Sequence, residues 1–483
     1  MRTHEAGALH AVAGARGPTW LREPADVNAL LPRLWPRNVG RGPDGSLTMA
    51  GVPVTAIAER FGTPAYVVDE DDFRSRAREF RTAFGNAFAG LCGGADVYYA
   101  AKAFLCRATV RWVAEEGLHI DVCTGGELAV VQRAGFPAGR IGLHGNNKSE
   151  TELARAVDAG VGRIVVDSQQ EIERLARLAA DRGVKARVMV RLTVGVEAHT
   201  HEYIATAHED QKFGLSVNPV GDSGSPAMNA LLAVLKHPEL KLLGIHSHIG
   251  SQILDPDGFE AAARVVLRLR ADLAERSGVL VDEVDLGGGY GIAYLPGDIA
   301  LDPERVAKDI AQSVAGVCQD LGTSLPRFSI EPGRAIVGPA GLTLYTVGTV
   351  KPVTVSDAGG GAEFVRTYVS IDGGMSDNIR PALYGAAYHA EVVGRSSTAE
   401  SVLARVVGKH CESGDIVVHE VQLPADARAG DLLAVAATGA YGRSMASNYN
   451  MLPRPPVVAV SEGASRVLVR RETEDDLLSL DQG

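Results

Sequence analysis

Val97-Tyr98-Tyr99-Ala100-Ala101-Lys102-Ala103-Phe104 is the stretch whose reading decides the fold. Small and β-prone residues run straight into one lysine. They read as a short buried strand with the lysine at its C-terminal end. Burying an unpaired ammonium costs far more than a core position returns. Two readings compete. In one, Lys102 tops the strand and pairs with a carboxylate. In the other, its amine is a covalent catalyst. The octapeptide alone favours the first; the rest of the chain reverses the balance.

Working outward, strand-like apolar runs alternate with longer helical patterns from Asp69 onward. The strands centre on Tyr98, Ile120, Ile141, Val165, Val188, Gly244, Val284 and Ser329. Helical stretches such as Ser149–Gly160, Glu171–Arg182, Phe259–Arg276 and Pro303–Leu321 lie between them. Eight β-then-α units match a (β/α)8 TIM-like barrel, placed over residues 72–339. A doubly wound sheet is the runner-up, but no GxGxxG opens its first helix. The expected strands end in Lys102, Asp121, His144-Gly145-Asn146-Asn147, Asp167, Arg191, His246-Ser247-His248, Gly287-Gly288-Gly289 and Glu331. Polar and glycine residues at so many strand ends would build one rim, the face that carries barrel active sites.

After Pro339 the rhythm shortens to Leu342–Val347, Thr367–Ile371, Ser401–Val407, Asp415–His419, Leu432–Ala436 and Val457–Val460. A mainly β C-terminal domain is expected over 340–483. Residues 26–71 are expected to pack with it, with Ala65-Tyr66-Val67-Val68 as an added strand. Residues 1–25 read as a disordered extension, and Ala358-Gly359-Gly360-Gly361-Ala362 as a hairpin loop. The 483 residues are too many for one ordinary core. A formal net charge of −11 argues against a nucleic-acid or anionic-membrane surface. Cys92, Cys106, Cys123, Cys318 and Cys411 form no CxxC pair, which suits a reducing cytoplasm. No apolar run is long enough to span a bilayer.

Asp285-Leu286-Gly287-Gly288-Gly289-Tyr290-Gly291 follows the seventh strand. Backbone without side chains lets N–H groups approach an anion; the plainer reading is a tight turn. Glu331-Pro332-Gly333-Arg334 follows the eighth, and barrels bind phosphate between these two loops. Glu331 is out of place beside a phosphate unless the ligand also carries a cationic nitrogen. Pyridoxal phosphate has a phosphate, an aldehyde for a lysine and a ring nitrogen that wants an acidic partner. The simpler alternative, a Glu331–Arg334 ion pair, stays open.

The ordered set Tyr98-Tyr99-Ala100-Ala101-Lys102-Ala103, Asp121-Val122-Cys123-Thr124-Gly125-Gly126-Glu127-Leu128, His144-Gly145-Asn146-Asn147-Lys148, His246-Ser247-His248-Ile249-Gly250-Ser251, Asp285-Leu286-Gly287-Gly288-Gly289, Glu331-Pro332-Gly333-Arg334, Cys411-Glu412-Ser413-Gly414-Asp415 and Gly439-Ala440-Tyr441-Gly442 resembles the diaminopimelate decarboxylases. These are fold-type III pyridoxal-phosphate enzymes, built as an alanine racemase-like barrel followed by a β domain. The resemblance covers residues 45 to 475. It implies pyridoxal 5'-phosphate as cofactor and Lys102 as the Schiff-base lysine. His248 would stack on the ring, and Ser251, Gly288, Gly289 and the Gly333-Arg334 turn would hold the phosphate. Glu331 would hold the ring nitrogen, and Tyr441 would close over cofactor and substrate. Arg334, Arg380, Tyr384, Glu412 and Tyr441 would contact substrate. Cys411 would return a proton to Cα from the partner subunit of a homodimer with shared sites. The implied reaction converts meso-2,6-diaminoheptanedioate to L-lysine and CO2.

Each residue alone has a plainer reading. His248 would be a satisfied strand-end histidine, and Cys411 a small buried hydrophobe. His199, His201 and His208 invite zinc, but no spacing completes a known pattern and no metal is expected. They lie in Thr193–Gly214, a polar segment long enough for a lid. Lys409-His410 is bulkier than the resemblance leads one to expect. The nearest rivals are decarboxylases of ornithine, arginine or carboxynorspermidine. Their substrates lack a distal carboxylate, whereas Arg380 and Glu412 offer a cation and an anion. Alanine racemase places an arginine at the ring nitrogen, and Glu331 argues against it. A non-catalytic relative would be expected to lose Lys102 or Cys411.

Overall fold

The computed structural model describes Pro18 and residues 21–195, 211–221, 224–355 and 363–483. The first seventeen residues, the lid reading with His199, His201 and His208, and the loop at 358–362 lie outside the described residues. Two compact units divide the chain. One comprises Arg74–Ile292 with Ala300–Ile336; the other comprises the chain up to Phe73, Ala293–Ile299 and Val337–Gly483.

The first unit is a closed barrel of eight parallel strands: Ala95–Ala100, His119–Val122, Ile141–Leu143, Arg163–Val166, Ala186–Thr193, Leu240–Ser247, Glu283–Asp285 and Arg327–Ile330. Each pairs with the next, and the eighth returns to the first with Ser329 opposite Asp96. All eight expected strands form. Closure removes the sheet edges and turns every strand end to one rim.

The helices form where local chemistry starts and stops them. Helix Glu150–Ala159 opens on a capping box, Ser149 Oγ accepting from Glu152 N and Glu152 returning to Ser149 N. It stops at Gly160, whose φ of +66° suits a residue without Cβ. Helix Pro303–Asp320 starts with Asp302 capping and proline at its first position. Helix Glu70–Cys92 carries Phe80, Phe84 and Phe88 at a four-residue spacing. All three are buried, and Phe88 stacks on Phe328 of the eighth strand with centroids 4.5 Å apart.

The second unit is mainly β. Strand Gly341–Val355 pairs antiparallel with Phe364–Ile371, Leu432–Val435 and Ala65–Asp69. The expected added strand is thus central to the sheet, because Ala65–Asp69 also pairs parallel with Val457–Ser461. Strands Ser401–Val407 and Ile416–Pro424 extend the other end. Leu34, Trp35, Leu47, Met49, Val67, Leu344, Ala434 and Val460 share one core. Among the described residues no helix is long and apolar enough to cross a membrane.

The two kinds of contact predict different losses. Phe84→Ala should lower the barrel unit's stability by about 3–5 kcal/mol, through lost burial plus a cavity. Ser149→Ala removes one cap and should cost about 1 kcal/mol. Urea denaturation followed by fluorescence checks the order; equal losses would mean that the phenylalanine stripe is not tightly packed.

Candidate active site

The first strand ends at Ala100, and Lys102 stands two residues beyond it in a short 3-10 turn, Ala101–Ala103. Its side chain is exposed, not buried as the octapeptide suggested. The turn explains the difference: it swings the ammonium out of the strand's interior register and so spares it most of the desolvation cost. Ala100 N donates to Pro332 O at 3.3 Å, which ties this strand to the Glu331-Pro332-Gly333-Arg334 turn. A Cβ on Gly333 would press on Ala100.

His248 lies one residue past the sixth strand and faces Lys102 and Arg191 electrostatically. Burial, with those two cations, holds its imidazole well below the usual histidine range. Gly288 N donates to His248 Nδ1 at 3.2 Å, so the neutral ring carries its proton on Nε2. A neutral flat ring suits stacking on a cofactor. Gly289 has a φ of +108°, and a Cβ on Gly288 would overlap the Glu331 carbonyl. Only glycine fits this turn, and its closeness to the eighth strand leaves bare backbone at the rim. Arg334 Nη2 donates to Ser251 Oγ at 2.7 Å, placing both expected phosphate contacts together.

Glu331 is nearly enclosed. His144 Nε2 lies 2.9 Å from its Oε1 and His246 Nε2 3.2 Å from its Oε2. Arg163 Nη2 is 3.3 Å from Oε1. No Glu331–Arg334 ion pair is among these contacts. Burial opposes ionisation of Glu331, but His144 and His246 hold its carboxyl well below the usual range. Arg163 supplies a fixed positive charge to the same end. His144, Glu331 and His246 present donor atoms within 4.8 Å of one another. The Arg163 guanidinium on the same carboxylate disfavours a metal ion there, since it already supplies the positive charge.

Asp121 is the penultimate residue of the second strand, buried, with Oδ2 unpartnered. Burial and the neighbouring Glu331 raise its carboxyl well above the usual range, while Lys102 acts in the opposite sense. The sequence alone assigns no role to Arg163, His144, His246 or Asp121. His144 and His246 carried a signal as paired strand-end histidines. Arg163 carried none, since it opens a strand where an arginine reads as solvent-facing.

The remaining expected residues belong to the β unit. Arg380 is buried and donates to Tyr294 Oη at 3.0 Å and to Tyr388 Oη. Its guanidinium also lies 5.6 Å from the Tyr441 ring centroid. Tyr384, at the end of the same short helix, is 36% exposed. Cys411 and Glu412 are exposed, and Tyr449 Oη donates to Glu412. The bulky His410 has a structural account. It is buried, accepts from Ser376 N at 3.2 Å, and meets Asn450 Oδ1 at 3.0 Å through its other nitrogen. It therefore ties the Cys411-Glu412 segment to the loop that leads into Arg380. Within the barrel unit the structure gathers Lys102, His248, Ser251, Gly288, Gly289, Glu331, Gly333 and Arg334; within the β unit it holds Arg380, Tyr384, Cys411, Glu412 and Tyr441.

A lysine at a barrel rim, a glycine loop with a serine and an arginine, and a buried carboxylate fit a pyridoxal phosphate. The family model for the pyridoxal-binding domain of pyridoxal-dependent decarboxylases matches residues 70–338. The barrel is that of a pyridoxal-dependent decarboxylase. Over 460 residues the chain is 55% identical to the diaminopimelate decarboxylase of Mycobacterium tuberculosis, covering 94% of this chain and 98% of that one. It is 44% identical to the Bacillus subtilis diaminopimelate decarboxylase, covering 90% and 95% of the two chains. The M. jannaschii diaminopimelate decarboxylase, solved in complex with L-lysine, superposes with a TM-score of 0.84 at 31% identity, covering 93% of this chain and 99% of that one. The chain belongs to the diaminopimelate decarboxylase family.

Burial pushes His119 and His144 down to about 4. For each, the unfolded chain takes up a proton near pH 6.5 that the folded barrel refuses. The contribution of these two histidines therefore rises with pH across this window and falls on acidification between pH ~6.5 and ~4, by about 1.4 kcal/mol per pH unit per histidine. Asp377, whose carboxyl burial pushes up to about 7, acts in the opposite sense, so the histidine part is read by comparing denaturation midpoints of wild type and a histidine variant over that range. His119→Asn should remove one proton from the slope; an unchanged slope would show that His119 is protonated in the fold.

Proposed function

We propose that this chain decarboxylates meso-2,6-diaminoheptanedioate to L-lysine and CO2, the last step of lysine biosynthesis. When bound, pyridoxal phosphate supplies the electron sink that takes the pair left by the departing CO2. Lys102 would hold the cofactor through its amine. Glu331 would keep the ring nitrogen protonated, His248 would cover the ring face, and Ser251, Arg334 and the backbone at Gly288, Gly289 and Gly333 would hold the phosphate. Orientation and charge are the protein's contribution. Cys411 returns the proton to Cα, and Tyr441 closes over the site.

The observation that carries the substrate assignment is Arg380. It is a buried guanidinium with tyrosine hydroxyls for partners and no carboxylate within ion-pair distance among the described residues. A buried cation held by neutral groups retains its capacity to bind an anion, and a fork of parallel N–H groups suits a carboxylate. Diaminopimelate has a distal carboxylate; ornithine and arginine do not. Glu412, with Tyr449 on its carboxylate, takes the distal ammonium, and Arg334 and Tyr384 complete the substrate contacts.

The enzyme works as a homodimer with shared sites. Leu383, Tyr384, Tyr449 and Met451 are exposed on the β unit, which carries Cys411 and Glu412. Large exposed apolar side chains at functional segments support a second copy as their cover. All five cysteines are free, which suits the reducing cytoplasm as its compartment.

Purified enzyme should release CO2 from diaminopimelate and far less from ornithine or arginine; equal release from all three would remove the substrate assignment. Arg380→Met should lower kcat/KM for diaminopimelate at least tenfold. Each charge-assisted hydrogen bond is worth about 1.5–3 kcal/mol, and cofactor absorbance should be unchanged. Unaltered kinetics would place Arg380 away from the substrate.

The shared site has its own test. Lys102→Ala and Cys411→Ala homodimers should each be nearly inactive. After verified exchange, half the dimers are mixed and half of their sites intact, so activity should return to roughly a quarter of wild type. No recovery would put both residues of a site in one chain.

A further inference from the structure

Arg163 opens the fourth barrel strand, and its side chain is only 2% exposed. Barrel interiors are ordinarily filled by branched aliphatic residues. Exchanging a buried ion pair for well-packed apolar side chains is commonly neutral or stabilising, so stability alone does not account for a guanidinium here. Its contacts are specific. Nη2 meets Asp285 Oδ2 and lies 3.3 Å from Glu331 Oε1, Nη1 donates to Ser329 Oγ at 3.0 Å, and Cζ lies 3.6 Å from the Tyr98 ring centroid. Ser329 Oγ donates in turn to Asp285 Oδ2 at 2.5 Å. The other oxygen of Asp285, Oδ1, accepts from Gly287 N at 2.6 Å, at the start of the glycine loop.

We propose that Arg163 is a positioning residue for the cofactor, a single buried guanidinium that holds the ring-nitrogen carboxylate, Glu331, and, through Asp285, the glycine loop at the phosphate end. The inference rests on the cofactor reading of the rim. Arg163 would act through Glu331 and, by way of Asp285, the glycine loop, fixing the distance between them. A lysine at 163 would keep the charge but lose the fork that reaches Asp285, Ser329 and Glu331 together.

The test measures pyridoxal phosphate affinity of the full-length chain by equilibrium dialysis, with melting of the cofactor-free chain as the fold control. Arg163→Lys should bind the cofactor at least tenfold more weakly than wild type. Ser329→Ala removes one support of the guanidinium and should bind about threefold more weakly; it keeps the question answerable if Arg163→Lys misfolds. For a cofactor analogue with carbon in place of the ring nitrogen, the Arg163→Lys loss should shrink, because only the glycine-loop half remains. Reduced melting temperature with unchanged affinity in both variants would show a merely structural arginine and overturn the proposal. Equal losses for cofactor and analogue would also overturn it, because Glu331 would then not be what Arg163 positions. Failure of wild type to bind pyridoxal phosphate would instead refute the cofactor reading itself.

Discussion

Glu331 is a carboxylate kept charged out of water, and the barrel is arranged around that fact. Desolvating such a group costs several kcal/mol, on the order of what a whole domain has to spare. The compensation comes from four places in the chain: His144 after the third strand, Arg163 on the fourth, His246 on the sixth and Asp285 on the seventh, which anchors the arginine. None is near Glu331 in sequence. They meet because parallel strands close on themselves and turn one set of ends to one rim.

The β unit solves the opposite problem. Arg380 is a cation out of water, and tyrosine hydroxyls and ring faces satisfy it without neutralising it. In the barrel the Glu331 and Asp285 carboxylates share the Arg163 guanidinium, whereas no carboxylate lies within ion-pair distance of Arg380 among the described residues. That contrast supports the substrate role proposed for Arg380.

Two local details show where reasoning from short motifs falls short. The octapeptide at Lys102 reads as one strand, yet the backbone leaves the strand at Ala100 and turns, which puts the lysine outward. A turn made of Ala-Lys-Ala has no glycine or proline to announce it. Lys409-His410 reads as an intrusion, yet His410 makes two hydrogen bonds through its two ring nitrogens and binds separate loops together. Its size is what lets it reach both.

The sequence by itself determined the architecture and named the candidate residues of the rim. Periodicity set the eight βα units, because a side chain's face follows from spacing along the backbone alone. Glycine runs, strand-end lysine and histidines, and the Glu331-Pro332-Gly333-Arg334 turn marked the rim for the same local reason. The resemblance of their ordered motifs carried the chemistry further than any single piece. What only the tertiary structure decided was pairing across distance: Arg163 with Glu331 and Asp285, Arg380 within its tyrosine cage, and Ala293–Ile299 joining the β unit. An arginine at the start of a strand looks the same in sequence whether it faces solvent or the barrel axis. The difference lies in where the closed sheet points it, and no short stretch of chain contains that.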